Sequence, residues 1–219
     1  MKATFVPLGF AGLVISTSAP AALFVPDGLA PSESYQLAFV TSAGTAGAST
    51  DIGFYNSFVQ AAADAAGIGT SEGVSWAAIA STAAVHANTN AVVAAKVFTM
   101  NGDLLATGFA DFWDGTHTTG VGIDYNENGI GTNANVWTGS LADGTNAGTN
   151  ALGNAVATWG ESTLSSSAWV NHGTQNTTVV YRLYALSEPL TAPIPEPQTW
   201  AMLLAGLVFV GIAARRRRA

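Results

Sequence analysis

The sequence predicts an α+β domain, with mixed short antiparallel strands, one main helix and long loops, followed by a single C-terminal transmembrane helix. Three observations support this prediction. Residues 51–67 carry apolar side chains at helical spacing between capping residues. Short β-type runs alternate with loops rich in Asn and in the 24 glycines of the chain. A continuous apolar run lies near the C-terminus. We predict four segments: a leader at 1–21, a domain at 22–190, a proline-rich linker at 191–199, and a membrane helix with a basic tail at 200–219.

The N-terminal segment has the three parts of a signal peptide. Lys2 supplies a positive charge, residues 5–15 are apolar, and Ala19-Pro20-Ala21 places small residues at the spacing that signal peptidase requires. We therefore predict that signal peptidase removes residues 1–21 on export. The alternative is a buried first strand.

The first part of the domain predicts a strand, a loop and then the main helix. Residues 35–42, YQLAFVTS, alternate in a way that suits a strand, and the small residues at 43–49 predict a loop. Apolar residues then recur at helical spacing, namely Phe54, Phe58, Ala61, Ala62 and Ala65. Asp51 is the predicted N-cap of this helix and Gly67 its C-terminal stop.

The second part of the domain predicts several short strands. Residues 74–82, VSWAAIAST, predict either a second short helix or a strand. Two apolar runs around Asn101-Gly102 predict a hairpin, because this dipeptide favours a type I′ turn. The remaining strand-like pieces are NVWTGS (135–140), AVATWGE (155–161), SSAWVN (166–171) and VVYRLYALSE (179–188).

Charge and cysteine content exclude several classes of function. Residues 22–194 contain thirteen Asp and Glu against only Lys96 and Arg182, which gives a formal charge of −11. Such a surface repels phosphate backbones, so we exclude nucleic acid as a partner. The chain has no cysteine, which excludes thiol chemistry and cysteine-ligated zinc. The fold of this exported domain must therefore depend on packing.

The apolar run at 200–214 is short for a membrane helix. Its 15 residues would span about 22 Å as a helix, less than the ~30 Å hydrocarbon core. Trp200 can lie at one interface, and long basic side chains can reach the headgroups at the other. These basic residues are Arg215, Arg216, Arg217 and Arg218. Because clustered arginines stay on the cytoplasmic side, we expect the domain to lie across the membrane.

The triplet Pro195-Glu196-Pro197 precedes this helix directly. Together, the triplet, the short apolar helix and the terminal arginines resemble the PEP-CTERM sorting signal of Gram-negative bacteria that make exopolysaccharide. The resemblance implies that an exosortase, an integral-membrane cysteine protease, recognises the triplet, removes the tail and releases or re-anchors the protein. The alternative is an ordinary C-terminal anchor with a proline-rich stalk.

A second resemblance covers residues 35–190. The order of LAFVTS, FVQAAADAAG, VSWAAIAST, DLLATGFADFWDG, VWTGSLADGT, ATWGES, SAWVN and YRLYALSE is similar to the C-type-lectin-like fold, especially its bacterial surface-protein branch, which is similar to the endostatin domain. The resemblance implies that the N- and C-terminal strands pair. It also implies that apolar packing of Val59 against Ala185 replaces one family disulfide, and that Val156 lies at a second disulfide position with its partner at 175–177. Four tryptophans match the core pattern of the fold, with exposed sugar-stacking as the alternative: Trp113, Trp137, Trp159 and Trp169.

Carbohydrate recognition does not follow from this resemblance, because the calcium-binding triplets of the lectins are absent. Residues 124–135 still predict a candidate calcium loop, since Asp124, Asn126 and Asn128 with Gly129 match the opening of an oxygen-ligand loop. Its twelfth position is Asn135 where a bidentate Glu is expected. The alternative is an ordinary polar turn. Three further carboxylates could add ligands, although loop capping is the simpler role: Asp111, Asp114 and Asp143.

Catalytic patterns are weak throughout the sequence. His86, His117 and His172 are isolated, which favours loop or surface positions. We therefore predict a non-enzymatic scaffold or binding module of the cell surface or exopolysaccharide matrix. No cofactor is expected unless calcium binds. The expected partners are exosortase, signal peptidase, the membrane before processing, and an exopolysaccharide or other glycan. The alternatives are a calcium-assisted carbohydrate-binding protein and then a secreted glycan hydrolase.

Overall fold

The computed structural model describes residues 23–194 and forms an α+β domain. Within that range the helices are α1 (Ile52–Ala66), α2 (Ala87–Asn90) and α3 (Phe109–Phe112), and two 3₁₀ turns span Gly148–Asn150 and Ser167–Trp169. The strands are β1 (Ser34–Val40), β2 (Thr45–Ala46), β3 (Trp76–Ala78), β4 (Lys96–Thr99), β5 (Leu104–Ala106), β6 (Asn135–Trp137), β7 (Val156–Glu161), β8 (Gly173–Asn176), β9 (Val180–Tyr181), β10 (Tyr184–Ser187) and β11 (Leu190–Thr191).

The predicted signal peptide, the sorting triplet, Trp200 and the terminal arginines lie outside the described residues. Between residues 23 and 194, none of the helices has the length and apolar character needed to cross a bilayer.

The main sheet joins the two ends of the domain. Its strand order is β3-β10-β1-β4-β5, and β11 also pairs with β1. The central strand β1 runs antiparallel to β10 and β11 and parallel to β4. A second sheet contains β6-β7-β8 and a third contains β2-β9. The pairing of N- and C-terminal strands that the sequence resemblance implied is therefore present.

Strand β1 is buried on both faces, which explains why its sequence is apolar almost throughout. Tyr35, Leu37 and Phe39 belong to one core cluster, and Ala38 and Val40 belong to the other. The two clusters therefore lie on opposite sides of the main sheet, as the alternation of side chains along a strand requires.

The buried amide of Gln36 ties the centre of the sheet to a neighbouring loop. Its Oε1 accepts from the backbone N–H groups of Ala94 and Ala95 at 2.7 and 3.1 Å. Its Nε2 donates to the carbonyls of Val92 and Ser187 at 3.0 and 2.7 Å. The amide makes all four of its hydrogen bonds, and these offset the cost of burying it completely.

The caps of α1 are as the sequence predicted, and of the apolar residues at helical spacing Phe58 and Ala62 pack against the core. Asp51 Oδ1 accepts from the N–H of Gly53 at 2.8 Å, and Gly67 ends the helix with φ 73°. Tyr55, Val59 and Ala63 form the fully buried stripe, whereas Phe54 is 44% exposed. The helix is rich in alanine on every side, so apolar spacing alone could not distinguish the two faces.

Side chains of α1 cover the open edge of β3. Asn56 Oδ1 accepts from the N–H of Ala78, and Gln60 Oε1 accepts from the N–H of Trp76, both at 2.9 Å. The two amides are one helical turn apart, about 6 Å, which matches the ~6.6 Å between alternate strand residues. The edge donors are thus satisfied within the domain, which blocks pairing with another chain.

Two local predictions differ from the structure, one in a turn and one in a strand. Strands β4 and β5 form the predicted antiparallel hairpin. However, a type I′ turn needs positive φ at both central residues, and of Asn101 and Gly102 only Gly102 has it, at 93°. The SSAWVN segment contains the 3₁₀ turn at Ser167–Trp169 in place of a strand.

The resemblance aligned two pairs of positions with family disulfides. Val59 and Ala185 are both fully buried in the same core cluster, and their direct contact stays a prediction. Val156 pairs with Asn176 across β7 and β8, within the range 175–177, and both side chains are exposed.

Candidate functional site

A shallow groove lies where β9 passes along β6. We call it the Arg182 groove, after the only basic side chain that lines it. Its volume is about 290 Å³. Its lining residues are Gly44, Asn133, Ala134, Asn135, Val180, Tyr181 and Arg182.

Backbone pairing and a glycine fix the walls of the groove. The N–H of Arg182 donates to the carbonyl of Asn135, and the N–H of Trp137 donates to the carbonyl of Arg182, at 3.1 and 2.9 Å. Residues 180–182 therefore lie alongside β6. A Cβ at Gly44 would be 2.8 Å from the carbonyl oxygen of Tyr181, so only glycine lets the preceding loop approach this closely.

The Arg182 guanidinium is positioned but keeps free donors. Its Nη1 donates to Thr132 Oγ1 at 2.7 Å. The other basic residue of the domain, Lys96, is paired with Glu33 at 2.7 Å, and this is the only ion pair among residues 23–194. Arg182 therefore carries an uncompensated positive charge at the surface of an otherwise strongly acidic domain.

A line of aromatic rings borders the groove. The ring of Tyr181 lies 4.7 Å from that of Trp137 and 5.8 Å from that of Trp159, and Trp159 lies 4.5 Å from His172. Trp137 is buried, Tyr181 and Trp159 are partly exposed, and His172 is exposed. Trp113, Trp137 and Trp169 are core residues as predicted, whereas Trp159 only partly faces the core.

The predicted calcium loop, residues 124–135, forms a compact turn, and its last three residues line this groove. Asn126 Oδ1 accepts from the N–H groups of Asn128 and Ile130 at 2.9 and 3.0 Å, so its carbonyl oxygen is already occupied. The carbonyl of Asp124 accepts from the N–H of Thr132, the residue that holds Arg182. Desolvation raises the pKa of the Asp124 carboxyl. These contacts favour the polar-turn alternative, and calcium binding at Asp124, Asn126 and Asn128 stays a prediction.

The other candidate acids act as caps of loops. Asp111 Oδ2 accepts from the N–H and hydroxyl of Thr107 at 2.6 and 2.8 Å, and the Thr107 backbone bond is the main cause of the lowered pKa of Asp111. Asp114 and Asp143 each open an Asp-Gly-Thr turn in which Oδ1 accepts from the N–H and hydroxyl of the Thr two residues on. Across residues 23–194 no group of three or more His, Cys, Asp or Glu is placed to hold a metal ion.

His117 lies in a loop, which was one form of the prediction, but its side chain is buried and not at the surface. It is 4% exposed, and its ring lies 4.8 Å from that of Trp169 and 6.0 Å from that of Phe112. Its Nδ1 lies 2.7 Å from the carbonyl oxygen of Val121 and must donate to it, because a carbonyl only accepts. Its Nε2 is buried with no partner among the described residues. Desolvation lowers the pKa of His117 to about 4, so the imidazole is neutral.

The backbone remains paired up to the start of the C-terminal segment. The N–H of Ala192 donates to the carbonyl of Glu33 at 2.8 Å, and the N–H of Ser32 donates to the carbonyl of Ala192 at 3.1 Å. Residues 193–218 match the PEP-CTERM protein-sorting motif. This match confirms the sequence resemblance at that end of the chain. No curated protein matches the chain in sequence.

The sorting motif implies that the chain is exported, anchored in the membrane before processing, and sorted by exosortase. It begins at the residue after Ala192, so the folded domain and the motif are adjacent in the chain. Pro195 follows Ala192 by three residues, a distance of at most about 11 Å in extended chain. The domain is therefore held close to the point at which exosortase acts.

Sequence reasoning missed the Arg182 groove. Its residues come from three separate segments of the chain, so no motif identifies it. One signal was available, because Arg182 and Lys96 are the only basic residues left once the two terminal segments are set aside.

Proposed function

We propose that this protein is a non-enzymatic binding module of the cell surface or exopolysaccharide matrix, built on a C-type-lectin-like fold and sorted by exosortase. The observation that carries the proposal is the sorting motif at 193–218, joined without a spacer to a domain whose terminal strands are paired. Because its terminal strands pair with each other, such a domain can be presented at a surface as one folded unit.

Three features support the C-type-lectin-like assignment. The N- and C-terminal strands are neighbours in the main sheet. Val59 and Ala185 share a core cluster, and Val156 pairs with Asn176. Each corresponds to a position at which the resemblance expects a strand pair or a disulfide. A disulfide contributes roughly 2–4 kcal/mol, which a few well-packed apolar side chains can offset.

The use of the ionisable side chains supports a role in binding over catalysis. Asp111, Asp114 and Asp143 are engaged in loop hydrogen bonds, and His117 is neutral and enclosed by aromatic rings. A general acid or base needs access to a substrate, and the buried His117 lacks it. The three carboxylates are accessible, but each already accepts hydrogen bonds from its own loop.

The test follows the chain through export. We would express the full chain in a host that contains an exosortase, and compare it with a triplet variant in which Glu196 is replaced by Ala. Intact mass and cell fractionation are the readouts. The wild type is expected to lose its C-terminal segment and leave the inner membrane, whereas the variant should keep residues 200–219 and stay there. Identical mass and fractionation of both chains would contradict the proposal.

Calcium-assisted glycan binding is the second candidate. It is favoured by the partly desolvated Asp124 carboxylate, on a residue whose backbone carbonyl accepts from the N–H of Thr132, the residue that holds Arg182. A melting temperature that rises by several degrees with calcium and falls back with a chelator would support it. An unchanged melting temperature would rule out this second candidate and leave a binding module that does not need calcium.

A further inference from the structure

The Arg182 groove has the composition of a small polar ligand site. It combines a guanidinium, a partly exposed tyrosine ring and two exposed amides, those of Asn133 and Asn135. At about 290 Å³ it is just below the usual range for ligand sites, ~300–1,000 Å³. That size suits a single ring better than an extended molecule.

The guanidinium selects for a carboxylate. Thr132 Oγ1 occupies Nη1 of Arg182 and fixes the plane of the group. Among residues 23–194 the Nε and Nη2 donors have no hydrogen-bond partner and no acidic side chain within ion-pair distance. A planar fork with two free parallel donors matches the two oxygens of one carboxylate.

The remaining groups select for a sugar ring. Tyr181 is held against Trp137 and Trp159, so its exposed face is a rigid apolar surface of the kind that packs against the C–H face of a pyranose. The side-chain amides of Asn133 and Asn135 make no hydrogen bond within residues 23–194, which leaves donors and acceptors for hydroxyl groups. Polar groups around an apolar surface fix the orientation of a ligand.

The net charge of the domain restricts which acidic glycans can bind. A formal charge of −11 over residues 22–194 repels densely charged polyanions at long range. One isolated carboxylate avoids most of that repulsion and still reaches Arg182. The suitable ligand is therefore a sparsely charged glycan.

We propose that the Arg182 groove binds a uronate residue, a sugar ring bearing one carboxylate, with Arg182 on the carboxylate, Tyr181 against the ring and Asn133 and Asn135 on the hydroxyls. This inference gives a ligand class to the binding module proposed above. Binding is measured on the purified protein, so its failure is distinguishable from a failure of export or sorting.

The experiment uses the exported form of the chain and two probes that differ only at C6, methyl glucuronide and methyl glucoside. Binding is followed by ligand-detected NMR and by titration calorimetry with glucuronate-containing oligosaccharides, at 150 mM salt and with a chelator present. We expect the acidic sugars to bind at least tenfold more tightly than the neutral ones. Arg182→Gln should remove that preference, and Arg182→Lys should weaken it because a lysine cannot make the bidentate contact.

Lys96→Gln is the matched control, because it removes the other cation of the domain at a position paired with Glu33. It should leave binding unchanged. If Arg182→Gln does not fold, Asn133→Ala is a second test at an exposed position. It should weaken binding of the glucuronide and the glucoside alike, because their hydroxyls are shared.

Three outcomes would overturn the inference. One is equal affinity for the glucuronide and the glucoside. Another is retention of the preference in a folded Arg182→Gln variant, or unchanged affinity for the glucuronide in Asn133→Ala. The third is binding of acetate or of a peptide carboxylate as tightly as the glucuronide, which would identify a general carboxylate site without sugar recognition.

Discussion

Burial of a neutral His117 should make the domain sensitive to mild acid. In the unfolded chain this imidazole titrates near its ordinary pKa of 6.5, whereas desolvation holds the folded pKa at about 4, against the weaker opposing effects of the Val121 carbonyl, Asp114 and Asp111. Between about pH 4 and pH 6.5 the unfolded state therefore binds a proton at this imidazole and the folded state does not. The stability present above pH 6.5 is lost progressively down to about pH 4, and the loss is roughly 3 kcal/mol at ~1.36 kcal/mol per pH unit.

The variant His117→Phe isolates this contribution. Phenylalanine keeps a ring against Phe112 and Trp169 but cannot donate to Val121, so at pH 7 it should be less stable than the wild type by about 1–3 kcal/mol. At pH 4 the wild type has lost its roughly 3 kcal/mol, so the two free energies of unfolding should converge or cross. Other acid-sensitive groups are common to both proteins and cancel in the difference.

The assay is urea unfolding at pH 7, 5.5 and 4, followed by tryptophan fluorescence, because Trp169 contacts the His117 ring. His172→Gln serves as the control, since the His172 ring is exposed. It removes an imidazole without altering the buried rings around Trp169. If the His117→Phe difference were constant between pH 7 and 4, the reasoning from burial would be refuted.

Three further variants test the fold. Ser34 and Thr191 lie opposite each other on β1 and β11, so cysteines at both positions should form a disulfide in this cysteine-free chain. The disulfide should raise the free energy of unfolding by up to about 4 kcal/mol. Free thiols in the folded protein would contradict the pairing. Val59→Ala should lower the free energy of unfolding in urea by about 2–3 kcal/mol, because the valine is fully buried. Phe54→Ala, at an exposed position, should lower it much less. The reverse order would contradict the buried face of α1. Gly67→Ala should lower stability by about 1–2 kcal/mol because φ is 73°, and a stabilising effect in thermal melts would argue against that conformation.

Local signals predicted the parts of the fold that are built locally. The caps Asp51 and Gly67 bound α1 as expected, because a capping carboxylate and a left-handed glycine act within one helical turn. The β4–β5 hairpin was also predicted. Its turn differs, since Thr99 Oγ1 accepts from the N–H groups of Asn101 and Asp103 and supports a longer loop than a type I′ turn.

Non-local pairing could not be predicted from the residues alone. Nothing in β1 indicates that it runs parallel to β4 and antiparallel to β10, about 150 residues later in the chain. The resemblance to a known fold supplied the pairing of the terminal strands. The buried face of α1 depends on tyrosine and valine in an alanine-rich background, where hydrophobic contrast is low.

The candidate site was harder to predict than the fold. The Arg182 groove joins residues 44, 133–135 and 180–182, which only the folded chain brings together. The predicted calcium loop has the right residue types, but Asn, Asp and Gly are also the residues that close turns, and Asn126 does so here. Isolation of His117 in the sequence gave no information about its burial.

We expect the domain to lie outside the cytoplasm and the arginine tail to lie inside it. Because the chain has no cysteine, a single one can be placed at exposed Ser71 or at Ala219 in a host without exosortase, where the tail is retained. A membrane-impermeant maleimide applied to intact spheroplasts should label the cysteine at 71 immediately and the cysteine at 219 only after lysis. Labelling of 71 only after lysis, or of 219 before it, would contradict the account.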